Sequence, residues 1–188
     1  MLSRLFIVCA LLSLTGCGDN QENSKATQAK AAVIAPAGLF VTNRPADAKG
    51  IADVKANAAK GDTVRLMGRV GGKADPFVTG NAIFVAVDPK LISCELMGDD
   101  DHCAIPWDYC CEDADDLLNG MATIRITDDA GRPLPASAKG MGGLGESRFV
   151  LVEGEVYDRN DHGLFIVDAK QIWVGGKPSR EDPDLGSQ

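Results

Sequence analysis

Aromatic side chains are scarce in this chain, at 5% of residues. Stacked rings therefore cannot dominate a core, and no platform for stacking unpaired bases is expected. Basic residues are also short: 19 Lys and Arg stand against 27 Asp and Glu, a formal charge of −8. Such a chain is repelled by nucleic-acid phosphates and by anionic lipid headgroups, which argues against nucleic acid as a partner. No apolar run approaches the about 20 residues that a membrane-spanning helix takes, so no span is expected. Ser137 and Ser147 have no His and Asp partners in motif order. The glycines of Gly140-Met-Gly-Gly-Leu-Gly145 follow no strand-to-helix phosphate pattern. An enzyme is not expected, and no cofactor is called for.

What is present begins with Arg4, an uncharged stretch from Leu5 to Leu14, and then Leu14-Thr15-Gly16-Cys17. A basic start, a short apolar middle and small residues before a cut are the layout of a secretory signal, assigned here to residues 1–16. Cys17 after Leu-Thr-Gly resembles the lipobox of bacterial lipoproteins. That resemblance implies a diacylglycerol thioether and palmitate on Cys17, a lipid-anchored protein of the cell envelope, and a position facing the periplasm. Gly18 follows the lipid-bearing cysteine where the enteric inner-membrane retention signal would have Asp, which points to the outer membrane. Loss of residues 1–16 removes Arg4 and no acidic residue, so the charge becomes −9 in place of −8. Attachment then falls to the acyl chains, of which more than one is needed for stable anchoring.

Residues 17–43 are rich in Gln, Asn, Ser, Lys and Ala and read as a flexible tether. The tail 175–188, with Gly-Gly, two Pro and mixed charge, reads as disordered. Between them, 44–174 is one domain. Asp47–Lys60 reads as a helix, with Ile51, Val54 and Ala58 on one face and Gly61 placed for a left-handed cap. The period then changes to two. Val64-to-Val70, Ile83-to-Val87, Ala122-to-Ile126 and Val150-to-Val156 alternate, and Leu164–Val167 with Ile172–Val174 gives the last run. Five such strands fill a core best as a small closed barrel, which also removes exposed edges. Gly68 and Gly154 interrupt inward positions, where glycine marks a bulge or corner.

The order of these runs, with Leu-Met-Gly-Arg-Val in the first and Val-Glu-Gly-Glu-Val in the fourth, resembles the OB-fold, particularly its anticodon-binding-like branch. The resemblance covers about residues 62–174. It implies a mainly β, five-stranded barrel preceded by one helix. The linker Leu134–Ser147 is glycine-rich where that fold often has a helix, so a loop is expected there.

The chemistry is concentrated in an insertion, 89–120, between strands two and three. It carries Cys94, His102, Cys103, Trp107, Tyr109, Cys110 and Cys111. Its string Pro106-Trp107-Asp108-Tyr109-Cys110-Cys111 resembles one in uncharacterised bacterial lipoproteins and exported proteins, which implies a family without an activity. With Cys9 lost in the signal and Cys17 lipidated, these four cysteines are the remainder, an even number in an exported chain. Two disulfide bonds are the leading expectation. Cys110 with Cys111 would close a strained ring, so each is expected to reach back to Cys94 or Cys103. The second reading is a Zn or Cu(I) site drawn from Cys94, His102, Cys103, Cys110 and Cys111, although no C-x-x-C pair is present. The third is thiol redox exchange, which the surrounding acidic residues oppose by raising thiol pKa values. Asp99-Asp100-Asp101 lacks the spaced ligands and glycine of a calcium loop. His162 lies in a hairpin turn.

The expected function is therefore a non-catalytic binding module, joined to the membrane by its lipid and presenting the barrel and insertion to an envelope protein, peptide or glycan. The alternative is an envelope metal-binding or thiol-redox helper. Trp107 and Tyr109 are candidate contacts, read either as a recognition lip or as a packing plug. Arg65 and Arg69, on the outward face of the first strand, are candidates for an anionic partner.

Overall fold

The computed structural model describes residues 33–98 and 103–179. The signal segment, Cys17, the tether up to residue 32, Asp99–Asp101, His102 and the tail beyond residue 179 lie outside the described residues.

Six strands form one sheet: β1 (Lys49–Gly50), β2 (Thr63–Val70), β3 (Ile83–Val87), β4 (Met121–Arg125), β5 (Phe149–Arg159) and β6 (Phe165–Val174). Their order is β1-β2-β3-β4-β6-β5, and β2 also pairs with β5. The last five therefore close into a barrel of OB-fold-like topology, with β1 as a short extra strand parallel to β2. The closure runs along seven residue pairs, from Thr63 opposite Glu155 to Arg69 opposite Phe149. Strand β4 meets β6 in parallel. Leu66, Phe84, Ile124, Val152, Val167 and Ile172 meet in the interior. Branched and aliphatic side chains dominate this core, as the scarcity of aromatics requires.

The alternation in β2 places Val64, Leu66 and Val70 inward. In β3 the core-facing residues are instead Phe84 and Ala86, while Val85 and Val87 are buried on the opposite face. Covering segments on the outside of the barrel make both faces apolar, so alternation alone does not identify the inner one. Gly154 sits at a register shift between β5 and β6, and a β-carbon there would meet the Asp168 carbonyl at 2.4 Å. This is the expected barrel corner. Gly68 lies in a regular stretch of pairing. Its missing β-carbon admits Ile51, whose Cδ1 would stand 2.8 Å from it.

The expected helix 47–60 is shorter. Helix α1 spans Ile51–Lys55, and turns continue its apolar face to Ala58. Its first turn is held by Asp88, at the end of β3, whose carboxylate accepts from the Ala52 amide at 2.9 Å. Gly61 has φ +89°, and its amide donates to Val156. Chain segments assigned to tether and tail also join the barrel: the Val41 and Ile172 amides bond to Ile172 and Leu39 carbonyls, and residues 175 and 176 pair with Phe149. The linker between β4 and β5 contains a 3₁₀ turn at Met141–Gly143, with Gly142 at φ +54°. Among the described residues no helix is long and apolar enough to cross a membrane.

Candidate functional site

The insertion is built onto the barrel wall. It opens at Asp88, turns through a 3₁₀ segment at Cys94–Leu96, and ends in helix α2 (Ala114–Gly120), which runs directly into β4. Helix α2 was not foreseen. Its signal is Asp113, whose side chain accepts from the Asp115 and Asp116 amides as an N-cap, followed by carboxylates in the first turn.

Two segments of the insertion face each other. The Cys94 amide donates to Asp108 and the Glu95 amide to Pro106, each at 2.9 Å. This pairing presents Cys94 beside Cys110. Tyr109 lies between the insertion and the barrel and is 2% exposed. Burial pushes its phenol up to about 12. The candidate contact role for Tyr109 is therefore corrected: its ring is consumed in packing, which is the plug reading of the pair. Trp107 is half-buried, and its indole N–H donates to the Ala74 carbonyl at 3.2 Å. Its own carbonyl accepts from Gly72 at 3.0 Å, against Gly71, where a β-carbon would stand 2.5 Å from that oxygen.

Arg69 points outward from β2 but is only 2% exposed, because the insertion covers it. Its guanidinium donates to the carbonyls of Pro89 and Leu91 and lies 5.6 Å from the centre of the Phe149 ring. The side chain holds the root of the insertion and is not available to an anionic partner. Arg65 remains at the surface and donates to Glu153 at 2.6 Å. It lines an open groove of 530 Å³ with Phe40, Arg44 and Gln171. Of the two arginines on this face, Arg65 stays exposed and Arg69 is covered.

Three sulfur atoms converge: those of Cys94, Cys103 and Cys110 all lie within 4.8 Å of one another. Cys94 and Cys110 are 3.6 Å apart, and Cys110 and Cys111 3.9 Å. A disulfide bond is about 2.05 Å long, so the expected staples are not formed among the described cysteines. Polar and aromatic clamps hold the insertion in place. The cluster shares its protons unevenly. Hydrogen bonding from Cys103, and then from Cys94, holds the Cys110 thiol below its ordinary range. Cys103 is pushed up chiefly by its contact with Cys110, and Cys94 chiefly by burial. Cys94 is buried, Cys103 half-buried and Cys110 exposed, so the group opens to solvent on one side.

Two positioning residues escaped the sequence reading. Asp88, just after β3, accepts from the Ala52 amide in the first turn of α1 and from the Lys90 amide. Lys55 is buried beneath α2 and donates to the carbonyls of Leu118, Met121 and Gly163.

Compared with protein-family models, curated proteins and solved structures, the chain matches none.

Proposed function

We propose that this protein is a lipid-anchored, non-catalytic binding module of the bacterial cell envelope. Acyl chains on Cys17 would hold it to the membrane, facing the periplasm, and the insertion would meet a partner there. The observation that carries this reading is the buried Arg69, which fastens the insertion to the barrel at Pro89 and Leu91. A segment seated in this way loses little freedom when it binds, so contact energy is not spent on ordering it. The surface offered is acidic and carries exposed apolar side chains, among them Ile92 and Leu118. A basic, partly apolar polypeptide segment fits such a surface, and nucleic acid does not.

The test uses the full-length chain in living cells. Labelled palmitate should enter the natural protein and be absent from Cys17→Ser. A photo-crosslinking residue at Ile92 should trap a discrete polypeptide, while the same probe at Val78, exposed in the β2–β3 connection, should not. Absence of lipid label, or equal capture from both positions, would overturn the reading. Capture of glycan in place of polypeptide would reject the partner class.

A further inference from the structure

We infer that Cys94, Cys103 and Cys110 form a thiolate site for one thiophilic cation, Zn(II) or Cu(I). The site does not depend on lipidation or on a polypeptide partner. Three features support it. The first is spacing. Zinc–sulfur bonds of about 2.3 Å give sulfur–sulfur edges of about 3.8 Å in a tetrahedron and about 4.0 Å in a trigonal plane. The Cys94–Cys110 distance of 3.6 Å and the 4.8 Å limit on the triad bracket those edges.

The second feature is preorganisation. Cys94 stands on a 3₁₀ turn whose amides are paired to residues 106 and 108, and Cys110 follows the buried Tyr109 directly. Two of the three donors are therefore fixed by backbone pairing and packing before any ion arrives, which favours tight coordination. The third is charge. Between residues 91 and 120 there are nine carboxylates and no Lys or Arg. The charge of this segment attracts a cation. Three thiolates within one site repel each other, and a bound cation removes that conflict. Sulfur donors without a carboxylate in the triad select soft d¹⁰ ions over Ca²⁺ or Mg²⁺. The solvent-facing side, at Cys110, gives the ion a path in and out.

The full-length protein, purified in detergent with reductant under anaerobic conditions, is titrated with Zn(II) against a chromophoric chelator and with Cu(I) against bicinchoninate. One ion per chain is expected in one of the two titrations, and the comparison decides which metal the site takes. Cys94→Ser, Cys103→Ser and Cys110→Ser should each weaken binding by at least about 100-fold, more than loss of an outer-shell contact costs. Cys111→Ser should change it by less than about 5-fold. Should the serine variants fail to fold, alkylation of the natural protein decides the matter: the metal should protect Cys103 and Cys110, the members of the triad that reach solvent, and leave Cys111 reactive. The inference fails if neither metal binds at one per chain, if the metal leaves the triad open to alkylation, or if protein taken from the envelope without reductant carries a Cys94–Cys110 disulfide. None of these outcomes bears on the crosslinking at Ile92, so the two readings stand or fall separately.

Discussion

Arg69 lies with its guanidinium carbon 5.6 Å from the centre of the Phe149 ring, across the seam where β2 and β5 close the barrel. The same group donates at 2.8 Å to Pro89, the first residue of the insertion. One side chain therefore links barrel closure to the seating of the cysteine-bearing segment. Replacement by Ala would leave the Pro89 and Leu91 carbonyls without their charged donor. A loss of about 2–4 kcal/mol is expected, since hydrogen bonds to charged groups are worth more than neutral ones. Urea denaturation measures that loss. Amide exchange should rise most at Cys94, Glu95 and Met97, whose amides bond inside the insertion. Unchanged exchange there would show that the clamp is not what seats the segment.

Tyr109 gives a pH dependence with a definite sign. Its phenol ionises at about 12 in the folded protein because burial disfavours the phenolate, against an ordinary value of 10.0. The folded state thus keeps a proton that the unfolded state releases. The stabilisation is complete below pH 10 and is lost as pH rises through 12, by about 3 kcal/mol over two units. Tyr109→Phe should flatten this alkaline decline. Denaturation midpoints of both proteins between pH 9 and 12 supply the comparison. Parallel curves would mean that the phenol is not buried.

The barrel was legible because four of its strands repeat at period two between strong turn signals, and because Gly154 marks a corner that the pairing register confirms. Strand β3 was legible as a strand but not in its facing, since Phe84 and Val85 are both buried. That Cys110 meets Cys94 and Cys103 was legible as a pairing or ligand set, but the backbone geometry that brings them together was not. Cys94 and Cys110 are brought together by backbone pairing across a loop, and no side-chain period records such pairing. Arg69 misled for a related reason. Alternation correctly aimed it away from the core, but a distant insertion folds over the outside of its strand. The helix at Asp47–Lys60 was read too long because its apolar face persists to Ala58 after the helical backbone has ended.

Gly71 tests how Trp107 is seated. A β-carbon at Gly71 would lie 2.5 Å from the Trp107 carbonyl oxygen and 3.2 Å from the Tyr109 ring. Backbone cannot yield as a flexible side-chain end does, so Gly71→Ala should displace residues 107–109 and cost about 1–3 kcal/mol. In a Trp173→Phe background only Trp107 reports, and its emission should shift toward that of exposed indole. A native spectrum and midpoint would mean that the contact relaxes without moving the insertion.

Lys55 joins three segments that are distant in the chain. Its ammonium donates at 2.7 Å to Leu118 in α2, at 3.2 Å to Met121 at the start of β4, and at 2.6 Å to Gly163 in the β5–β6 turn. Burial, and then the charge of Arg159, holds its pKa below the ordinary lysine value. The charged form therefore carries a desolvation cost that its three acceptors offset in part. Lys55→Met keeps the aliphatic stem but leaves three carbonyls without this donor, and a net loss of about 1–3 kcal/mol is expected. Arginine should not restore stability, because a planar fork cannot serve three acceptors that converge on one point. The depressed pKa also fixes a sign. Near the ordinary lysine pKa the unfolded state holds more protons than the folded one, so this group makes stability rise with pH there. Subtracting the Lys55→Met curve from that of the natural protein isolates this contribution from the opposite trend of Tyr109. A difference curve that falls with pH would mean that Lys55 is charged and fully satisfied, with its burial cost more than repaid by the three carbonyls.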